Sequence, residues 1–125
     1  MMEKSSEIRR NVEAVQEQIG RAAAEAGRDP SEIRLMAVTK TQSAARVNEA
    51  IAAGVTLLGE NRAQELLEKY DGYDRAGCGI HFIGHLQSNK VRSIVDKVSM
   101  IESVDRLSLA QEISRCAQLH GLVMP

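Results

Sequence analysis

A chain of 125 residues holds one domain or part of one; 43% hydrophobic residues suffice for a core, but with Tyr70, Tyr73 and Phe82 as its aromatics that core must be aliphatic. Acids and bases are interspersed to a formal net charge of −1, which excludes an electrostatic nucleic-acid binder. No run approaches the roughly 18 apolar residues of a membrane span, the first residues are too polar for a secretory leader, and the unframed pair Cys78 and Cys116 fits a reducing cytoplasm.

The first predicted element is an amphipathic helix. Ile8, Val12, Val15, Ile19, Ala22, Ala23 and Ala26 recur at the three-to-four residue spacing of one face. Ser5 or Ser6 suits its cap, and Gly27 suits the left-handed position past its end. Asp29-Pro30 turns the chain into an apolar strand, Leu35 to Lys40. A lysine capping a buried strand attracts attention, because burial would favour the neutral amine that condenses with aldehydes; the alternative is that it is simply solvated, as most strand-end lysines are.

Ser43 then caps a helix with Val47, Ala50 and Ile51, closed by Gly54. A second strand over Val55 to Leu58 ends in Gly59-Glu60-Asn61, and its helix carries Ala63, Leu66 and Leu67 as far as Tyr70. Asp71 to Gly79 is a loop. Ile80 to Ile83 is the third strand, and Ser88 begins a helix with Val91, Ile94 and Val95 inward. Met100 to Val104 is the fourth, after which Asp105 caps a helix with Leu109, Ala110, Ile113 and Ala117, stopped by Gly121. Leu122 to Pro125 reads as the start of a fifth strand.

Alternating strands and helices predict an α/β fold with a parallel sheet. The first strand is followed by no glycine-rich dinucleotide fingerprint, and no phosphate loop of the ATPase type occurs. The repeat fits a parallel (β/α) barrel of the TIM type. A complete one takes about 250 residues, so about four strand-helix units plus an extra N-terminal helix make a half barrel.

Working groups in such folds gather where strands end and helices begin. Four junctions qualify: Lys40-Thr41-Gln42; Gly59-Glu60-Asn61-Arg62; Gly84 to Lys90 with His85, Gln87, Ser88 and Asn89; and Glu102-Ser103 with Asp105-Arg106. Asn61, Ser88 and Asp105 have the alternative reading of helix caps. His81 reads as a satisfied core histidine, and its spacing to His85 straddles a strand end, which excludes a metal pair.

The strings Ala37-Val38-Thr39-Lys40-Thr41, Gly59-Glu60-Asn61, His81 to Lys90 and Glu102 to Leu107 resemble the pyridoxal phosphate homeostasis proteins, single-domain relatives of the alanine racemase barrel. The resemblance runs through nearly the whole chain and covers the first half of the family's length. It implies that 1–125 is the N-terminal half of a PLP-binding barrel domain. It also implies that the cofactor pyridoxal 5′-phosphate is held as an aldimine on Lys40, with Asn61, His85, Ser88 and Asn89 as further cofactor-binding residues and no catalytic residue. The family's principal phosphate loops lie in its second half.

The expected function is therefore cofactor homeostasis, with no nucleic-acid or membrane partner. The rival is a racemase-like enzyme, which needs a second base such as tyrosine. Tyr70 and Tyr73, placed beyond a helix, are expected at the opposite end of the sheet. A third reading is a folding fragment with little cofactor binding. The open edges of a half barrel predict a homodimer.

Overall fold

Four parallel strands lie side by side in chain order: β1 (Ala37–Val38), β2 (Leu57–Glu60), β3 (Gly79–Phe82) and β4 (Met100–Ile101). They belong to a computed structural model that describes residues 2–125, with side chains from Glu7 onward. The helices are α1 (Met2–Glu25), α2 (Ala44–Ala52), α3 (Ala63–Lys69), α4 (Val91–Ile94) and α5 (Leu107–Leu119). The alternation makes half of a TIM-type (β/α) barrel, with α1 preceding the first unit.

Strand register explains both faces. Val38 pairs with Gly59, Gly59 with His81 and His81 with Met100. Alternation sends Leu58, Ile80, Phe82 and Ile101 to the opposite face. There they pack under Leu66 of α3, Val91 and Ile94 of α4 and Leu109 of α5, all within one aliphatic core around Phe82. The inner face has no such cover over β1, where Val38 is 49% exposed.

Local chemistry sets the helix ends. The Ser43 side chain accepts from Arg46 N–H at 3.2 Å and caps α2. Gly27 and Gly121, at φ 70° and 66°, close α1 and α5. In both, paired amide bonds fold back on the last turn: Arg28 to Ala23 and Gly27 to Ala24, then Leu122 to Ala117 and Gly121 to Gln118.

The structure corrects several expectations. The first helix starts at Met2, upstream of Ser5 and Ser6, because Glu3 and Lys4 are good helix formers; the side chains of those serines lie outside the described residues. On α1 the buried stripe is narrower than the sequence pattern: Ala23 is buried and Ile8, Val12 and Ile19 are half-buried, whereas Val15, Ala22 and Ala26 face solvent. β2 sits two residues later than expected, so Glu60 is a strand residue. Asp105 does not cap α5, whose first flanking residue is Arg106; Asp105 instead pairs with the Arg106 guanidinium at 2.8 Å. Leu122 to Pro125 forms no strand, since the Leu122 amide is consumed in closing α5.

Candidate functional site

The register places a row of side chains at the C-terminal end of the sheet. Two residues beyond the paired row Val38, Gly59, His81 and Met100 come Lys40, Asn61, Ile83 and Glu102, of which Glu102 meets His81 on the inner face. A Cβ placed on Gly59 would meet Met36 Sδ at 2.5 Å and Ile83 Cδ1 at 3.0 Å, which fixes these residues on one side of the sheet. Lys40 and Asn61 occupy equivalent positions past the ends of the neighbouring strands β1 and β2. Lys40 itself is exposed, the ordinary state of a lysine at a strand end. Its place in the row, not desolvation, distinguishes it.

The loop after β3 reaches this row because position 84 is glycine. A Cβ there would lie 2.0 Å from the Asn61 carbonyl oxygen, so only glycine lets the two loops touch. That contact brings His85 beside Asn61. Together with Arg62, Gln87 and Lys90 they line a polar cleft of about 280 Å³. Leu86, fully buried, anchors the loop from below.

Ser88 and Asn89 sit further along, on a 3₁₀ turn over Ser88–Lys90, outside the cleft lining. Ser88 accepts from Arg106 at 3.4 Å, and the same guanidinium donates to the Leu86 carbonyl at 2.8 Å, tying the fourth junction to the third. The cap readings of Asn61 and Ser88 are not realised: Arg62 and Gln87 flank the helical turns, and neither turn has a side-chain cap. His81 is buried, with Nδ1 3.3 Å from a Glu102 carboxylate oxygen, the satisfied histidine the alternation suggested.

Behind the rim lies a network that the junction list missed. Glu60 faces the helices and is 0% exposed. Thr39 Oγ1 lies within hydrogen-bonding reach of the Gly59 carbonyl and of one Glu60 oxygen, to which Tyr73 also donates at 2.8 Å. The other Glu60 oxygen is buried without a partner. Burial pushes the Glu60 carboxyl above the usual carboxylate range, against the pull of the two hydroxyl donors. Burial, then the carboxylate beside it, pushes the Tyr73 phenol up. Tyr73 therefore reaches the C-terminal end of β2, not the opposite end of the sheet, but on the helix side. The signal that could have revealed this was the polar glutamate ending a run of strand residues.

The turn carrying Lys40 is also held. Gln42 N–H donates to the Thr39 carbonyl at 3.1 Å, and Thr41 sits at φ 63°. For a β-branched residue that conformation is a genuine outlier, worth about 1–3 kcal/mol of strain. Glu65 of α3 accepts from the Thr41 amide at 3.0 Å, and Lys69 donates to the same carboxylate oxygen at 2.8 Å and to the Gln42 carbonyl. The Lys69 ammonium, first among the causes, holds the Glu65 carboxyl below its ordinary range. No three His, Cys, Asp or Glu side chains gather as a metal-ligand group among the described residues.

Comparison with known proteins adds the lineage. No family model matches the chain. The pyridoxal phosphate homeostasis protein of Pseudomonas aeruginosa is 46% identical over 109 residues, covering 87% of this chain and 47% of that protein. Its Escherichia coli K12 counterpart is 39% identical over 112 residues, covering 87% and 48%. Among solved structures, a protein of unknown function from Bifidobacterium adolescentis superposes with a TM-score of 0.90 at 37% identity, over 97% of this chain and 53% of that one. PipY of Synechococcus elongatus, solved with PLP bound, matches with a TM-score of 0.69 at 38% identity over 82% of this chain and 49% of its own. The chain thus spans about half the length of the relatives it matches, and over that span it belongs to the family of the pyridoxal phosphate homeostasis proteins.

Proposed function

We propose that this chain presents Lys40 as the amine that holds pyridoxal 5′-phosphate, in a protein that carries or buffers the cofactor and does not turn over a substrate. The observation that carries the reading is the position of Lys40: exposed just past the C-terminal end of β1, in a chain whose relatives are named for that cofactor. The residues present fit the aldehyde end of the molecule. A primary amine open to solvent condenses with an aldehyde to a carbon–nitrogen double bond, releasing water. Asn61 and His85, with Arg62 and Lys90, line the cleft at the following strand ends, where the positive charge suits a phosphate-bearing ligand; Lys40 stands outside that lining, at the end of the neighbouring strand. Ser88 and Asn89 complete the proposed set from the adjoining turn. The proposal leaves the principal phosphate contacts to the half of the family's length that this chain does not span.

A holding role is favoured over racemisation because Tyr73, the tyrosine nearest this end of the sheet, faces the helices and is engaged with Glu60. A reducing cytoplasm suits the two free thiols, Cys78 and Cys116, and self-association through the open sheet edges belongs to the same proposal. Borohydride reduction in the presence of pyridoxal 5′-phosphate should fix the label on Lys40, and Lys40→Ala should abolish it. Peptide mapping with label spread evenly over Lys69, Lys90 and Lys97 would overturn the reading. Deuterium exchange at the α-carbon of L-alanine should stay at background; exchange that depends on Lys40 would restore the racemase-like alternative.

A further inference from the structure

We infer that Glu65, backed by Lys69, is a positioning residue for Lys40, an inference that rests on the reading of Lys40 as the cofactor-holding amine. Thr39 faces Glu60 on the helix side of the sheet, so alternation turns Lys40 to the inner side. The chain must then leave the sheet at once to reach Ser43, the cap of α2. It does so through Thr41 at φ 63°, a conformation that a threonine does not hold unaided. Relaxation of Thr41 to negative φ would rotate the preceding peptide and, with it, the direction of the Lys40 side chain.

Two contacts from α3 oppose that relaxation. Glu65 takes the Thr41 amide, and Lys69 takes the Gln42 carbonyl, so both residues following Lys40 are gripped by one helix. Glu65 and Lys69 stand four apart on one helix face and bond to each other, an arrangement that orients both before they meet the turn. Each side chain is only 18% exposed, so solvent and salt screen the grip less than they would a surface pair. The second Glu65 oxygen is buried without a partner, a cost the fold accepts at this point of contact. Thr39, on the other side of Lys40, is fixed by Glu60. The lysine is thus set between two residues that each answer to a carboxylate.

The test is the rate at which borohydride-fixed pyridoxal 5′-phosphate accumulates on Lys40, with Lys97, outside the cleft, as internal reference in the same digest. Glu65→Gln should slow labelling of Lys40 about tenfold, equivalent to ~1.4 kcal/mol, and leave the Lys97 reference unchanged. Adding Thr41→Gly to that variant should restore the rate, because glycine holds positive φ without a clamp. A purely electrostatic role for the pair predicts no such rescue. If Glu65→Gln fails to fold, Lys69→Met removes the outer partner and should give the same slowing and the same rescue. Labelling of Lys40 that survives these variants undiminished, or a loss that Thr41→Gly leaves uncorrected, would overturn the inference alone. Lys40 reacting no faster than Lys97 in the unaltered chain would overturn the functional reading, and this inference with it.

Discussion

At Glu60 the fold accepts an electrostatic cost. Its carboxyl is fully buried, with two hydroxyl donors on one oxygen and nothing on the other. Because burial raises its folded value above the unfolded one, Glu60 contributes stability that is complete below the unfolded value, about 4.3, and is lost as pH rises through the folded value. Melting curves from pH 4 upward should therefore show the unaltered chain losing ground to Glu60→Gln across that interval. Parallel pH profiles for the two proteins would show that the carboxyl does not titrate as its burial requires. Glu65 works in the opposite sense: its depressed value makes its contribution present at neutral pH and lost on acidification. Tyr73→Phe, which removes one donor from the buried Glu60 carboxyl, should cost about 0.5–1.5 kcal/mol by urea denaturation.

Among the elements, those with strong periodicity and unambiguous punctuation were legible in the sequence. Ser43 and Gly54 bound α2 as written, and Val91, Ile94 and Val95 are all fully buried. The strands were harder. A short apolar run shows that a strand exists but not its register, so β2 was expected two residues early and Glu60 was taken for a rim residue. Of the site, Lys40, Asn61 and His85 were legible as junction residues. The Glu65–Lys69 grip was not, because an i,i+4 pair on an amphipathic helix looks the same whether it faces water or a neighbouring turn. On α1 the helical pattern marked Val15 and Ala23 alike as inward, yet Val15 is 39% exposed and Ala23 is buried. Ala23→Leu should accordingly cost about 1–3 kcal/mol through overpacking, while Val15→Gln should stay within about 0.5 kcal/mol of the unaltered chain. Equal effects in thermal or urea melts would mean that α1 packs on a different face in solution.

For the molecule as a whole, the decisive feature is a sheet with two edges and one uncovered stretch of inner face. β1 and β4 are terminal in the strand order, and each has only two residues in the ladder, which limits the row of unpaired amides and carbonyls it offers. The N-terminal part of α1 partly guards the first edge: Ile8 shares a cleft of about 180 Å³ with Ala37, Val38 and Val47. Val38 itself remains half in water, on the side where a complete barrel would place the opposite wall. Full burial of a valine is worth about 1.5–3 kcal/mol, so covering the exposed half of Val38 in each of two copies offers about 1–3 kcal/mol toward pairing. Beyond α5, the cleft of about 430 Å³ between Ile101, Val104, Ile113 and Met124 offers further apolar surface beside the β4 edge. A closed pairing of two copies brings the β4 edge of one to the β1 edge of the other and covers both features at once. Sedimentation of the 125-residue chain at micromolar concentration should therefore show a dimer or larger species. Val38→Glu, which leaves a charge on the surface to be covered, should shift it toward monomer without altering the helical content of that monomer. A sharp, cooperative monomer at the same concentration would overturn the pairing and would mean that α1 guards the β1 edge well enough for the half barrel to stand alone.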